Sequence, residues 1–524
     1  MKKRFLTTCL SLFIGASALA IASCDTSSAS GSEGLAYELV DGTYTVTGRG
    51  TCEDGIIEIP AKYKGKAVTA IADNAFANDQ LIGLITIPDS VTTIGAGAFS
   101  GCSNISDVNM GNNVTELGNQ AFYSCGWLSN INFSDSLVSI GDYAFYGCRR
   151  LKTVDFPDSL TTISTHAFDY CELLEEVKFG TSLEVIGEQA FLSCKRLKAV
   201  EIPDGAPTEI KANAFELCSA VEYVTLGNSV TRINANAFLS VSHMKELVIG
   251  DSVVSIGDNA FTGCTRIYTV TLGASVVTIS DTAFSNCRTI REVCNRSNLN
   301  IVAGAESYGR IALNAIDVRG ADEPSKITID DQGVLYMMNG RKKIAVGAAL
   351  KEYTDIVLPN DVIEIANRAF YNEDFVRSID TGSGCQVIGE SAFQNCYHLE
   401  KAVIGQSVKT IGRGAFYRNR VLVTVVLRSK LENGSVGENA FWKYTRKSDG
   451  SLEKSAKEFK TLFFEGTSAE WEKTKSVFAL TGNGNSNGDL INNPKVTIAF
   501  YSETNPTSSG NYWCYVEGKP TLWG

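Results

Sequence analysis

The chain has 524 residues, 44% apolar and 20% charged, enough to bury a large core and too apolar for a disordered polymer. A formal charge of −11 argues against a nucleic-acid partner. Three histidines, His166, His243 and His398, leave little for metal ligation or acid–base chemistry.

Lys2, Lys3 and Arg4 precede an apolar run from Phe5 to Ile21, the pattern of a secretory leader. The run is shorter than the ~20 residues that span a bilayer. It ends in Leu19-Ala20-Ile21-Ala22-Ser23-Cys24, which resembles the bacterial lipobox. That resemblance implies a leader over 1–24, diacylation of the Cys24 thiol, and a surface lipoprotein touching the membrane through its lipid alone. Two acyl chains make a firm anchor. Residues 25–34, rich in Ser and Gly, read as a flexible tether.

Beyond the tether the chain repeats. Ala-Phe recurs with phenylalanine at 76, 99, 122, 145, 168, 191, 215, 238, 261 and 284, then at 370, 393, 416 and 441. The spacings are 23 residues except for one 24, one 25 and one of 86. An aliphatic residue stands five places before each phenylalanine, as Ile163 does before Phe168. A period of 20–29 with short extended runs predicts a leucine-rich-repeat solenoid. In one unit Leu151, Val154 and Phe156 make a short strand, with Asp155 pointing outward. Pro157-Asp158-Ser159 ends it as a turn, Leu160 to Ile163 forms a second extended piece, and Ala167-Phe168 sits on a tight segment. Stacked ~4.8 Å apart, equivalent residues form columns of Phe and Ile along the core. Alanine before every phenylalanine leaves room for the next coil.

These units resemble the BspA-like leucine-rich repeats of bacterial surface proteins. The resemblance covers nearly all the chain after the tether and implies a mostly β repeat solenoid capped at both ends. It also implies adhesion to host proteins or neighbouring cells. Tyr37 to Gly48 resembles the family's N-terminal hairpin cap, and Phe464 to Trp471 with Tyr512, Trp513 and Trp523 its C-terminal cap. The expected organisation is a cap at 35–56, regular repeats at 57–287, irregular or degenerate repeats at 288–346, repeats at 347–445 and a cap at 446–524. The gap of 86 nearly equals four periods, so Leu299 to Val302 and Ile311 to Ile316 are expected as degenerate coils that keep the stack continuous. Gly320-Ala-Asp-Glu-Pro324 reads as a loop or hinge.

Nine cysteines occupy the position three after the spine phenylalanine: Cys102, Cys125, Cys148, Cys171, Cys194, Cys218, Cys264, Cys287 and Cys396. Parallel side chains at coil spacing sit beyond disulfide reach, and no pair has zinc-ligand spacing, so they are expected as buried thiols. Asn483 to Asp489 imitates a calcium loop but has Pro494 where the bidentate glutamate belongs; it reads as a flexible loop. Asp330-Asp331-Gln-Gly333 reads as a turn. No hydrolase, zinc-protease or phosphate-loop motif occurs, so no enzyme, cofactor or metal is expected.

The outward strand positions are the candidate binding surface. One column carries Thr86, Asn109, Asn132, Asp155, Lys178, Glu201, Thr225, Val248 and Thr271, and a second carries Asp107, Asn130, Thr153, Glu176, Ala199, Tyr223, Glu246 and Thr269. Solenoids use such faces as extended binding surfaces. Asn109, Asn132, Asp155, Lys178, Glu201, Tyr223 and Thr225 are the residues expected to face a ligand. Tyr123, Tyr146, Tyr371, Tyr417 and Trp442, each directly after a spine phenylalanine, form a candidate aromatic strip. Few aromatics stand on the strand face, which favours an extracellular protein, host or microbial, as partner. The alternative is a glycan-binding or glycan-processing lipoprotein.

Overall fold

A computed structural model describes residues 31–348, 354–373, 375–432, 435–441, 445–446, 452–453, 460–479, 496–504, 510–516 and 519–523. The repeat winds into a mostly β solenoid of about 16 turns with roughly 23-residue spacing. In a typical coil Thr153–Asp155 forms a face strand and Thr162–Ile163 a second strand across the core. Between them the Leu160 amide closes the turn on the Pro157 carbonyl at 3.1 Å. The turn aspartate ties its coil to the following one. Asp158 Oδ1 accepts from the Thr181 amide of the next coil at 2.9 Å, and Asp89 and Asp251 do the same for Asn112 and Ala274.

The second strands build a 13-stranded sheet, started by the hairpin of Ala36–Val40 and Thr43–Gly48 and ending at Thr278–Ile279. Its parallel register aligns Ile71, Ile94, Leu117, Ile140, Ile163, Ile186, Ile210, Ile233, Ile256 and Ile279. The spine phenylalanines stack beside that column. Ring centroids from Phe76 to Phe284 are 4.9 to 5.3 Å apart and nearly parallel. The Phe168 amide donates to the Ala190 carbonyl one coil on, at 2.7 Å, and this bond recurs along the array. Every coil thus satisfies its turn backbone with its neighbour, as a buried turn must.

Two residues per coil, two before and two after the spine phenylalanine, adopt positive φ: His166 (54°) and Tyr170 (57°), Gln189 (56°) and Ser193 (60°), Asn213 (59°) and Leu217 (60°). A residue with a Cβ pays ~1–2 kcal/mol there. The repeat spacing does not predict this conformation. Its signal was present in the asparagines and glycines that recur two after the phenylalanine, such as Asn78, Gly101, Gly147, Gly263 and Asn286.

The degenerate segment keeps one more coil on the stack, with Leu299, Ile301 and Ile311 packed on the first core, but the stack does not continue through to 346. Phe284 has no ring above it; its amide bonds to the Gly309 carbonyl at 3.0 Å. Gly309 has φ 68°, and a Cβ there would press on the Ser280 carbonyl. One further face strand, Asp317–Arg319, pairs with Glu292–Asn295 and ends the first array. Ile327–Ile329, Val334–Asn339 and Lys342–Ala348 then form an antiparallel lead that starts a new sheet with Val362–Ile365, Val387–Ile388 and Thr410–Ile411. A second spine runs through Phe370, Phe393, Phe416 and Phe441 at 4.9 to 5.1 Å. Two arrays, each with its own core and β lead, replace the single stack. Without the Ala-Phe mark there is no ring to carry the column across the gap.

The second array ends on Thr461–Phe464, Thr497–Tyr501, Tyr512–Val516 and Lys519–Leu522. Its helix, Ser468–Ala479, starts with a reciprocal cap. The Thr467 amide donates to Glu470 Oε2 (2.8 Å), and the Glu470 amide donates to Thr467 Oγ1 (3.3 Å). Trp471 packs on Phe464 with centroids 5.3 Å apart.

Candidate functional site

The face strands place the two outward columns in register. Thr86, Asn109 and Asn132 align, as do Asp155 with Lys178, and Glu201 with Thr225, Val248 and Thr271. The intervening valines and isoleucines point into the core, so side chains alternate as a strand requires. Asn109, Asn132, Asp155, Lys178, Glu201, Tyr223 and Thr225 are all exposed. The structure therefore brings the seven expected residues onto one surface.

Neighbouring coils pair their polar groups across this surface. Lys178 Nζ donates to Asp155 Oδ2 at 2.9 Å, with the two side chains 62% and 69% exposed. Lys195 reaches Glu172 at 3.1 Å, and Lys198 reaches Glu175 at 2.5 Å. Asn130 Nδ2 donates to Asp107 Oδ1 at 2.7 Å, and Asn132 Nδ2 to Asn109 Oδ1 at 3.3 Å. The bond from Asp155 holds Lys178 above the usual ammonium range, and the bond from Lys198 holds Glu175 below the usual carboxylate range. Exposed pairs of this kind contribute ~0–1 kcal/mol, so a partner can exchange them for its own groups at little cost. At the edge of the face Arg150 lies over the exposed Trp127 ring, 3.4 Å from its centroid.

The open face has an end that the sequence did not reveal. Val248 and Thr271 are half-buried and Cys294 is buried, because the second array lies against the last coils of the first. Arg266 forms an ion pair with Glu373, their side chains 1% and 0% exposed. Tyr268 donates its hydroxyl toward the Ala369 carbonyl and Glu373 Oε1, both at 3.4 Å. Arg291 donates to the Asn367 carbonyl. A Cβ at Gly347 would overlap the Tyr268 ring, so the second array's lead also touches this surface. Lys245, paired with Glu222 at 3.1 Å, is buried as well, and that burial lowers its pKa. No local motif signals this contact, because its two halves lie about 100 residues apart.

The aromatic strip divides. Tyr123 and Tyr146 stack at 5.1 Å, presenting ring edges rather than faces, and Tyr170 meets Tyr146 edge-on at 5.6 Å. Tyr371 and Tyr417 instead carry Arg368 and Arg418 over their rings, at 5.1 and 5.2 Å. Trp442 lies outside the described residues, as do Cys24 and the Asn483 to Asp489 loop.

The nine repeat cysteines are buried and form no disulfide with one another. Each Sγ donates to the carbonyl of the preceding coil's spine phenylalanine, from Cys102 to Phe76 (2.9 Å) through Cys171 to Phe145 (3.3 Å) to Cys396 to Phe370 (3.0 Å). Among the described residues no group of three or more His, Cys, Asp or Glu is placed to hold a metal ion. Asp330 makes its expected turn, accepting from the Gln332 and Val334 amides and from the Tyr336 hydroxyl. His166 bonds Asp169 at 2.8 Å and stacks on Tyr143, while His243 meets the Ser219 carbonyl at 2.6 Å. A shallow groove of about 550 Å³ on the second-sheet side, lined by Thr162, Glu188, Glu209 and Lys211 among others, was not anticipated. No described helix is long and apolar enough to cross a membrane.

A family model described as BspA type leucine-rich repeat region matches residues 69–198, 161–291 and 349–470. Among solved structures, a leucine-rich repeat protein from Bacteroides ovatus is 22% identical, with 84% of this chain and 96% of that chain covered and a TM-score of 0.42. A leucine-rich cell surface protein from Faecalibacterium prausnitzii is 20% identical over 86% and 98%, with a TM-score of 0.31. The T. pallidum leucine-rich repeat protein is 24% identical over 45% and 88%, also with a TM-score of 0.31. No curated protein matches the chain.

Proposed function

The chain belongs to the BspA-type leucine-rich repeat family, and we propose that it is a bacterial cell-surface lipoprotein that binds without turning over its partner. In this reading Cys24 carries the lipid, and the strand face of the first array contacts an extracellular protein of a host or neighbouring cell, giving adhesion. The carrying observation is the polar face around Asn109, Asn132, Asp155, Lys178, Glu201, Tyr223 and Thr225, exposed and in register over successive coils. Such a surface suits many modest contacts spread over a broad partner. Tyr223 is the one aromatic among these seven positions, which weighs against a sugar platform and toward a protein.

Two measurements test the reading. Beads coated with the chain should adhere to partner cells, lose adhesion after protease treatment of those cells, and keep it after glycosidase treatment. Asp155→Ala, Lys178→Ala and Glu201→Ala together should weaken adhesion by about tenfold, because each exposed contact contributes ~0–1 kcal/mol. Full adhesion by the triple variant removes the strand face from the mechanism, and loss to glycosidase alone selects the glycan alternative. For the anchor, Cys24→Ala should move the protein out of the detergent phase or leave its leader uncleaved; unchanged partition and processing would refute lipidation.

A further inference from the structure

The charges on the strand face alternate from coil to coil. Lys152, Glu175, Lys198, Glu222 and Lys245 hold one repeat position, and from Glu175 onward each amide donates to the carbonyl of the residue before it in that series, at 2.7 to 3.1 Å. Arg149, Glu172 and Lys195 alternate three residues earlier in their coils, and Asp155, Lys178 and Glu201 three residues later. Opposite charges therefore stand in all three columns across one boundary, between the coils of Phe168 and Phe191. Glu172 pairs there with Lys195 at 3.1 Å and Glu175 with Lys198 at 2.5 Å, while Lys178 and Glu201 hold the outer column. All six reach solvent, with the Lys195 and Lys198 side chains 52% and 71% exposed.

Such a pattern is complementary to itself. A two-fold axis lying along the strands at that boundary reverses the order of the coils and leaves each column opposite its own copy. Glu172 then meets Lys195 of a second copy, Glu175 meets Lys198, and Lys178 meets Glu201. Glu172 and Lys195 from both copies close a ring of four charges of alternating sign, so the ion pair inside each copy is kept rather than exchanged. One coil further out Lys152 meets Glu222 and Asp155 meets Thr225, and in these three columns no like charges meet. An axis along the ladder instead sets Glu175 on Glu175 and Lys198 on Lys198, which costs affinity. The columns therefore select antiparallel order.

We propose that the strand face recognises a second copy of this chain, the two pairing face to face in antiparallel order about the boundary between the coils of Phe168 and Phe191. The proposal rests on the strand-face reading above and names its partner. Antiparallel order sends the two N-terminal hairpins to opposite ends of the pair, so copies anchored at Cys24 on two facing membranes can join neighbouring cells. The pattern covers the coils from Phe145 to Phe215, a contact at the low end of specific interfaces. A weak single pair suits adhesion, where many copies on each surface act together.

The test is sedimentation of the chain from residue 25 on, which keeps every described residue, over a concentration series at ~0.05 M and ~0.5 M salt. The parent should pair, and more weakly at the higher salt. Two charge-swapped variants locate the contact. Glu172→Lys, Glu175→Lys and Lys178→Glu reverse one coil, and Lys195→Glu, Lys198→Glu and Glu201→Lys reverse the next. Each variant alone sets like charges together at the axis and should pair at least about tenfold more weakly than the parent. Mixed, the two should recover the parent's affinity, because each supplies the charges that the other's reversed coil requires. If a swapped chain does not fold, Lys198→Glu alone, at a side chain 71% exposed, should still weaken pairing, and mixing with Glu175→Lys should restore it. Beads coated with the parent should clump with no cells present. A monomeric parent, pairing that survives in each variant alone, a mixture that stays monomeric, or parent beads that stay dispersed overturns the proposal. No cell enters this test, so a monomeric parent that still adheres to partner cells through Asp155, Lys178 and Glu201 fails this proposal and spares the strand-face reading.

Discussion

A thiol suits the position three residues after a spine phenylalanine because the site is fully enclosed and faces a single carbonyl. A small side chain with a weak donor fills it without a leftover polar group. Where the cysteine is replaced, the local bonding changes. Asn419 accepts from the Cys396 amide at 2.9 Å, and Asp79 accepts from the Leu81 amide and pairs with Arg49. Burial pushes the Cys102 thiol up to about 12 and the Cys171 thiol higher still. Since the thiolate is the reactive form, alkylation of the folded protein should label Cys514, the one half-exposed cysteine among those described. It should spare the twelve buried ones. Denatured alkylation with mass spectrometry should then count all thirteen as thiols. A disulfide-bonded column would contradict the coil geometry. The absence of metal-ligand spacing and the parallel stacking made the thiol reading available from sequence. The positive-φ residues were missed because Leu217 and Tyr170 have no local preference for that conformation; the coil enforces it.

Within a coil, the interlocking of face strand, second strand and Ala-Phe turn explains why so regular a period was legible. Each column repeats one environment, so one residue type wins in every copy. Phe168 stacks on Phe145 at 4.9 Å and Phe191 at 5.3 Å and meets Phe156 edge-on at 5.4 Å. Phe168→Ala should therefore cost ~3–5 kcal/mol through the cavity it leaves. Contacts run only to neighbouring coils, so the damage should stay local. Amide exchange should rise from about residue 145 to 191 and remain unchanged in the second array. A uniform rise over both arrays, or none, would refute a nearest-neighbour spine.

At the scale of the whole molecule, the relation between the arrays rests on groups that no repeat pattern pairs. Glu373 stands where the next two coils carry Cys396 and Asn419, and only the folded chain brings it to Arg266. Their contact fixes where the open face stops, since Glu292 and Cys294, which continue its columns after Thr269 and Thr271, are buried. Removing one partner of a buried ion pair strands the other charge, at a cost of ~3–5 kcal/mol. Glu373→Ala should accordingly loosen the junction while leaving both cores folded. Small-angle scattering should report a larger maximum dimension, and exchange should rise around Tyr268 and Arg291 but not around Phe122 or Phe393. Replacing the pair together, Arg266→Met with Glu373→Leu, removes the stranded charge and should restore the compact form. If Glu373→Ala leaves the scattering profile unchanged, the Gly347 and Arg291 contacts suffice, and the ion pair does not set the angle between the arrays.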